Sequence, residues 1–141
     1  MDIKKFNNHD ELIDFYISRG IENSNPFYFY TPIFSFVAEE NKDIVGAVTI
    51  SKDKDNYIME AVAVSDEGKG ICRLLVDTVI NYIKTEYNGN NLYLVAKNSD
   101  VFKNMEFVII DREEAPDFSR CFTCPKYNNS CFPKIMYRKI R

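Results

Sequence analysis

The stretch Tyr57–Leu75, YIMEAVAVSDEGKGICRLL, joins an almost unbroken apolar run to a helix-like one through a turn that holds two glycines. Tyr57 to Val64 reads as a strand set in the middle of a sheet and covered on both faces. From Gly70 onward Ile71, Leu74, Leu75, Val79, Tyr82 and Ile83 recur at intervals of three and four. That spacing predicts an amphipathic helix to about Tyr87, ended by Asn88-Gly89. A buried strand running through Gly-Lys-Gly into a helix brings unpaired backbone N–H groups and the positive end of the helix dipole to one spot, which suits a phosphate. Gly68 and Gly70 let the backbone approach an anion, and Lys69 adds a charge. The stretch is not a Walker loop, and it lacks the third glycine of the dinucleotide fingerprint. On its glycines alone, a solvated strand-to-helix turn is an equally good reading.

Upstream, Ser35–Glu39 and Ile44–Ser51 are β-rich, and the polar turns Asn41-Lys42-Asp43 and Lys52–Asn56 punctuate them. Connections this short make consecutive strands antiparallel, so with Tyr57–Val64 they form a three-stranded meander. Residues 2–6 alternate as a short strand. Asn8 and Glu11 are spaced as a capping box before a helix with Leu12, Phe15 and Tyr16 on its apolar face, stopped at Arg19-Gly20. Residues 21–32 read as a loop or short helix. Downstream the expectations are a strand at Leu92–Ala96, a short helix at Ser99–Asn104, and strands at Phe107–Ile110 and Ile135–Ile140. The order β-α-(α)-β-β-β-α-β-α-β-β is a mixed α/β layout.

The 141 residues, 45% of them hydrophobic and without internal repeat, are read as one domain with a core able to fold alone. A formal charge of −3 with interspersed signs excludes a basic nucleic-acid face and fits a cationic small substrate better. No stretch approaches the roughly 18 to 20 apolar residues of a membrane span. The reading is a soluble, cytoplasmic protein with neither membrane nor nucleic acid as partner.

The meander, the turn Val64–Leu75 and the strand and short helix that follow resemble the GNAT superfamily of acyl-CoA-dependent N-acyltransferases, over residues 2–111 and 134–140. The family pattern Gln/Arg-x-x-Gly-x-Gly/Ala would fall on Glu67, Gly70 and Cys72, with Glu67 and Cys72 departing from it. The resemblance implies a GNAT-like domain over 1–141, with a central, mostly antiparallel sheet flanked by helices. It implies acetyl-CoA as cosubstrate and acetyl transfer to a primary amine of a small molecule or peptide. The pantetheine arm would pair with the backbone of Val62, Ala63 and Val64. The pyrophosphate would sit on the N–H groups of Gly68, Lys69, Gly70, Ile71, Cys72 and Arg73. Asn98 matches a position that often bonds the cofactor, and a main-chain N–H near Val62 would meet the oxyanion. Homodimers through the C-terminal strands are common in the family.

Glu60 is the only charged residue of Tyr57–Val64, and strand alternation puts it on one face with Ile58, Val62 and Val64. Desolvation of a half-buried carboxylate there raises its pKa, which suits a general base, and the resemblance puts it where family members face the acceptor amine. The competing reading is a strand-end carboxylate paired to a lysine or reaching water. The family's thiolate-protonating tyrosine sits in Tyr-x-x-x-Gly-Phe, which here is Phe102-Lys103-Asn104-Met105-Glu106-Phe107. Another group, with Tyr93, Tyr137 or water as candidates, would then supply the proton, or none does. Glu106 in place of glycine predicts a local rearrangement before the strand. Phe27-Tyr28-Phe29-Tyr30 is either an aromatic wall for an acceptor or core closure over a sheet edge. His9 reads as a solvated cap-region residue. Cys121-x2-Cys124-x6-Cys131 falls in a loop at about 112–133, and metal binding, disulfide chemistry and reduced thiols all stay open for it. No metal is assigned. A non-catalytic acyl-CoA-binding or metal- or redox-responsive module built on that loop is the alternative function.

Overall fold

A computed structural model describes residues 1–21, 27–66, 69–96, 99–116 and 134–140. The chain forms β1 (Asp2–Phe6), a 3-10 turn (His9–Leu12), α1 (Ile13–Ser18), β2 (Pro32–Glu40), β3 (Asp43–Asp53), β4 (Asn56–Val64), α2 (Ile71–Glu86), β5 (Asn91–Ala96), α3 (Ser99–Lys103), β6 (Val108–Ile109) and β7 (Lys134–Lys139). The described strands make one sheet in the order β1-β2-β3-β4-β5-β7-β6. All neighbours are antiparallel except β4 and β5.

The β2–β3–β4 meander follows the apolar runs but extends them. Lys52 and Asp53, expected in a turn, pair with Tyr57 and Asn56, so only Lys54 and Asp55 turn the chain. The expected capping box is not made: Asn8 gives no side-chain cap, and its carbonyl instead accepts from the Glu11 N–H. The stop at Arg19-Gly20 is realised as paired bonds, Ile21 N–H to the Tyr16 carbonyl and Gly20 N–H to the Ile17 carbonyl. β6 is two residues long, shorter than the expected Phe107–Ile110.

Two apolar layers sandwich the sheet. α2 lays Ile71, Leu75, Val76, Val79, Ile80 and Ile83 against Phe34, Phe36, Val48, Ile50, Tyr57 and Met59. On the opposite face Leu12 and Tyr16, with Phe27 and Tyr28, cover Val37, Ala47, Ala61 and Ala63. α2 ends at Glu86, with Tyr87 already extended.

Gly89 has a packing reason rather than a capping one. A Cβ there would lie 2.3 Å from Cε2 and 2.5 Å from Cδ2 of Tyr57, a ring that is itself buried. Gly89→Ala should therefore cost about 1–3 kcal/mol, read as a lower urea midpoint at unchanged m value. An unchanged midpoint would show that the ring moves aside without cost.

Candidate active site

β4 and β5 pair in parallel through only two rungs, Tyr57↔Leu92 and Ile58↔Tyr93, although β4 runs on to Val64 and β5 to Ala96. Beyond Ile58 no described residue of one strand pairs with the other. β5 turns to β7 instead, along its whole length. The strands part where β4 carries an irregularity. Ile50 opposes Met59 and Thr49 opposes Ala61, so Glu60 is the extra residue of a β-bulge.

The bulge corrects the expected facing of Glu60. Tyr57 and Met59 look toward α2, and past the bulge so do Val62 and Val64. Ile58 looks the other way, and Ala61 and Ala63 lie on that side too. Glu60 shares the face of Ile58, not of Val62 and Val64: its Oε2 accepts from Ser51 Oγ at 2.7 Å, and Ser51 stands opposite Ile58. Its oxygens also accept from the Phe29 N–H at 2.8 Å and the Tyr30 N–H at 2.7 Å. With 6% of its surface exposed, the residue is buried rather than half-buried. Its three donors stabilise the ionised form that burial alone disfavours.

At the head of the opening, Gly70 is the N-cap of α2 with φ +75°, a conformation that favours glycine. A Cβ there would meet nothing within 4 Å, so there is open space beside Gly70 among the described residues. The first-turn N–H groups of an α-helix have no acceptor within the helix and suit an anion. Ile71 is core and offers only its backbone, and the Cys72 side chain packs against the α2 layer. The Lys69 ammonium is already engaged with the Asp66 carboxylate at 2.9 Å, which raises the pKa of the lysine and lowers that of the aspartate. Arg73 Nη1 reaches the Asn104 carbonyl at 3.4 Å, bridging α2 to the end of α3. Glu67, Gly68 and Asn98 lie outside the described residues, as do Cys121, Cys124 and Cys131. No group of metal-ligating side chains occurs among the described residues.

Glu106 keeps a turn before β6. It holds the left-handed φ of +69° that a glycine would take, and Arg138 secures the turn by reaching the Glu106 carboxylate at 3.1 Å and the Met105 carbonyl at 3.0 Å. Phe102 stacks edge-on with Phe107 and has no proton to give.

A family model described as Acetyltransferase (GNAT) family matches residues 5–107. The chain belongs to this GNAT acetyltransferase family. Comparison with curated protein sequences gives no match. Among solved structures, a GNAT-family acetyltransferase of Staphylococcus aureus Mu50 superposes with a TM-score of 0.71 at 22% identity, over 99% of each chain. The ribosomal-protein-S18-alanine N-acetyltransferase of Escherichia coli gives 0.69 at 15% identity, over 99% of this chain and 93% of that one. The N-acetylglutamate synthase of Neisseria gonorrhoeae, complexed with coenzyme A and N-acetyl-glutamate, gives 0.70 at 13% identity; this chain spans 36% of its length. At these identities the structures show a shared fold. Acetyl-CoA as cosubstrate is consistent with the GNAT family and with its coenzyme A-bound members. No helix among the described residues is long and apolar enough to cross a membrane.

Sequence reasoning missed a hydroxyl network on the Glu60 face of this GNAT sheet. His9 Nδ1 meets Ser35 Oγ at 2.7 Å, Ser35 Oγ meets Thr49 Oγ1 at 2.8 Å, and Thr49 Oγ1 meets Tyr16 OH at 2.7 Å. Tyr28 OH donates to the His9 carbonyl at 2.6 Å. His9 is thus half-buried and bonded, not a solvated cap residue, and burial lowers its pKa. Ser35, Thr49 and Ser51, polar positions recurring on one face of β2 and β3, were the available signal.

Burial pushes the Tyr28 phenol up to about 12, so the folded protein keeps a proton that the unfolded chain releases near pH 10. Its contribution is fully present below about pH 10 and is lost as pH rises toward 12. The urea midpoint should decline across that window, and Tyr28→Phe should decline less steeply. Equal slopes for the two proteins would remove Tyr28 as the cause.

Proposed function

We propose that the chain is an N-acetyltransferase that moves an acetyl group from acetyl-CoA to a primary amine of a small molecule or peptide by direct attack. The observation that carries this reading is the parting of β4 and β5 after two rungs, in a chain whose next helix starts at a Gly70 of positive φ with open space beside it. Val62, Ala63 and Val64 would pair through their backbone with the pantetheine arm. Lys69 to Arg73 would hold the pyrophosphate, and Gly68 and Asn98 are assigned to the cofactor on the resemblance alone. The whole of 1–141 is taken as one cytoplasmic domain. The exposed Val108 and Ile109 on edge strand β6 support pairing of two copies.

Acetyl-CoA supplies a thioester acyl group at the parting of the strands. The amine nitrogen forms the new C–N bond as the C–S bond breaks, and Glu60 takes the proton that the ammonium must lose. A main-chain N–H near Val62 would stabilise the oxyanion. With Phe102 in the place of the family tyrosine, the sulfur leaves as a thiolate. A thiol of pKa near 8.5 permits departure without a dedicated acid, and Tyr93, on the last rung that β4 and β5 share, is the candidate to protonate the thiolate afterwards.

Two variants separate cofactor from base. Gly70→Asp keeps a residue tolerated at positive φ but sets a carboxylate at the cradle. It should weaken acetyl-CoA binding by at least about tenfold through like-charge repulsion with the pyrophosphate. Wild-type protein that fails to bind acetyl-CoA in calorimetry would remove the reading. Glu60→Gln should leave acetyl-CoA affinity intact and lower kcat at neutral pH by about a hundredfold or more. Ser51→Ala, which keeps the carboxylate, should not. Equal losses in both would make Glu60 a structural clamp. Acetyl-CoA binding without turnover on any amine would favour the non-catalytic module.

A further inference from the structure

Among the described residues, two separate clusters cover the face of the sheet that carries Glu60. Over β2, β3 and the end of β4, the 3-10 turn, α1, Phe27 and Tyr28 close it. Over the start of β4, and over β5 and β7, a second cluster forms around the buried Ile58, Tyr93 and Ile135. Among the described residues, what packs on that cluster comes from strand and loop: Phe29, Tyr30, Val95, Ile110, Ala115 and Tyr137, each half-buried.

Four aromatic rings from three separate parts of the chain converge there. Tyr93 and Tyr137 lie nearly parallel across the β5–β7 pair, with centroids 5.9 Å apart and planes 26° apart. Phe29 and Tyr30 face them from the segment before β2, and their position is fixed by the Glu60 carboxylate through two consecutive backbone N–H groups. Fixing a loop with a buried carboxylate is costly unless every oxygen is well served. Here it holds two rings in place beside the rung, Ile58↔Tyr93, at which the strands part.

Resting on the acetyltransferase reading above, we propose that this cluster is the acceptor subsite and that the acceptor is an arylalkylamine, a primary amine carried on a flat apolar ring. The ring lies against Tyr93, Tyr137, Phe29 and Tyr30, where offset or edge-on contacts add to area burial. The ammonium points along β4 toward Glu60, favoured by the carboxylate and by the ring faces. A sugar acceptor needs a lining of hydrogen-bonding groups, and a polyamine needs several carboxylates within the site. Aromatic side chains dominate this one, and Glu60 is the only buried carboxylate among the described residues.

The test uses the full chain in two arms. In the first, thiol release is followed with phenethylamine, butylamine, spermidine, an aminoglycoside and a short peptide with a free N-terminus. Phenethylamine should exceed each of the others in kcat/KM by about tenfold or more, the scale on which an apolar pocket discriminates. Tyr137→Ala should raise KM for phenethylamine and leave acetyl-CoA binding unchanged. In the second arm, equilibrium dialysis measures phenethylamine binding directly, whether or not turnover occurs. Binding that Tyr137→Ala weakens supports the subsite even if acetyl-CoA fails to bind, a failure that would count against the acetyltransferase reading alone. Phenethylamine that performs no better than butylamine, or no phenethylamine binding at millimolar concentration, overturns the inference. So does a higher kcat/KM with spermidine, aminoglycoside or peptide.

Discussion

One extra residue in β4 governs the rest of the molecule. A bulge bends its strand and sharpens the local twist, and the bulge at Glu60 begins directly after the last rung shared with β5. β4 keeps its bonds to β3 through Val64, so the bend cannot be absorbed on that side. β5 is held by β7 along all six of its residues. With both outer neighbours fixed, the pair that yields is β4–β5, and the sheet opens between two strands that each remain paired on one side.

The same residue switches the side-chain parity of β4, and each half of the strand then meets a suitable layer. Val62 and Val64 fall on the α2 side, where they join the largest apolar cluster. Ala61 and Ala63 fall under the α1 layer, where small side chains let Tyr16 and Phe27 stack at 6.0 Å close to the sheet. Without the bulge the alanines would face α2 and leave its apolar stripe underfilled. Glu60 itself is driven onto a face already polar from Ser35, Thr49 and Ser51, where donors are available.

The succession of elements along the chain, the meander and α2 were legible in the sequence because apolar period and polar turns are local signals. The bulge was not. In Tyr57–Val64 both parities are apolar, so a slip of one residue leaves no mark on the pattern, and alternation rightly grouped Glu60 with Ile58 but wrongly with Val62 and Val64. The donors that hold its carboxylate could not be read either, since backbone N–H groups of Phe29 and Tyr30 carry no signature of residue type. Lys69 was legible as a charge near the helix start, but its engagement by Asp66, three residues earlier, depends on how the turn folds. The network from His9 to Tyr16 was half legible: Ser35 and Thr49 stand opposite each other on β2 and β3, yet their partners arrive from the turn and helix across 26 and 33 residues of sequence.

The two departures in α3 and the turn after it have different weights. Glu106 substitutes for glycine at φ +69°, a conformation costing a non-glycine residue roughly 1–2 kcal/mol. Arg138 meets both the Glu106 carboxylate and the preceding carbonyl, so the turn that leads into β6 is kept in shape. Phe102 substitutes for a phenol with nothing in its place on α3. On the proposed reaction that loss falls on the easier half of the chemistry. A thiolate with a conjugate acid near pKa 8.5 leaves without help far more readily than an alkylammonium near 10.4 gives up its proton at neutral pH. The demand on the protein therefore shifts to the nucleophile, and the acceptor side of the opening, where Glu60 fixes Phe29 and Tyr30, is where its buried carboxylate and converging rings are found.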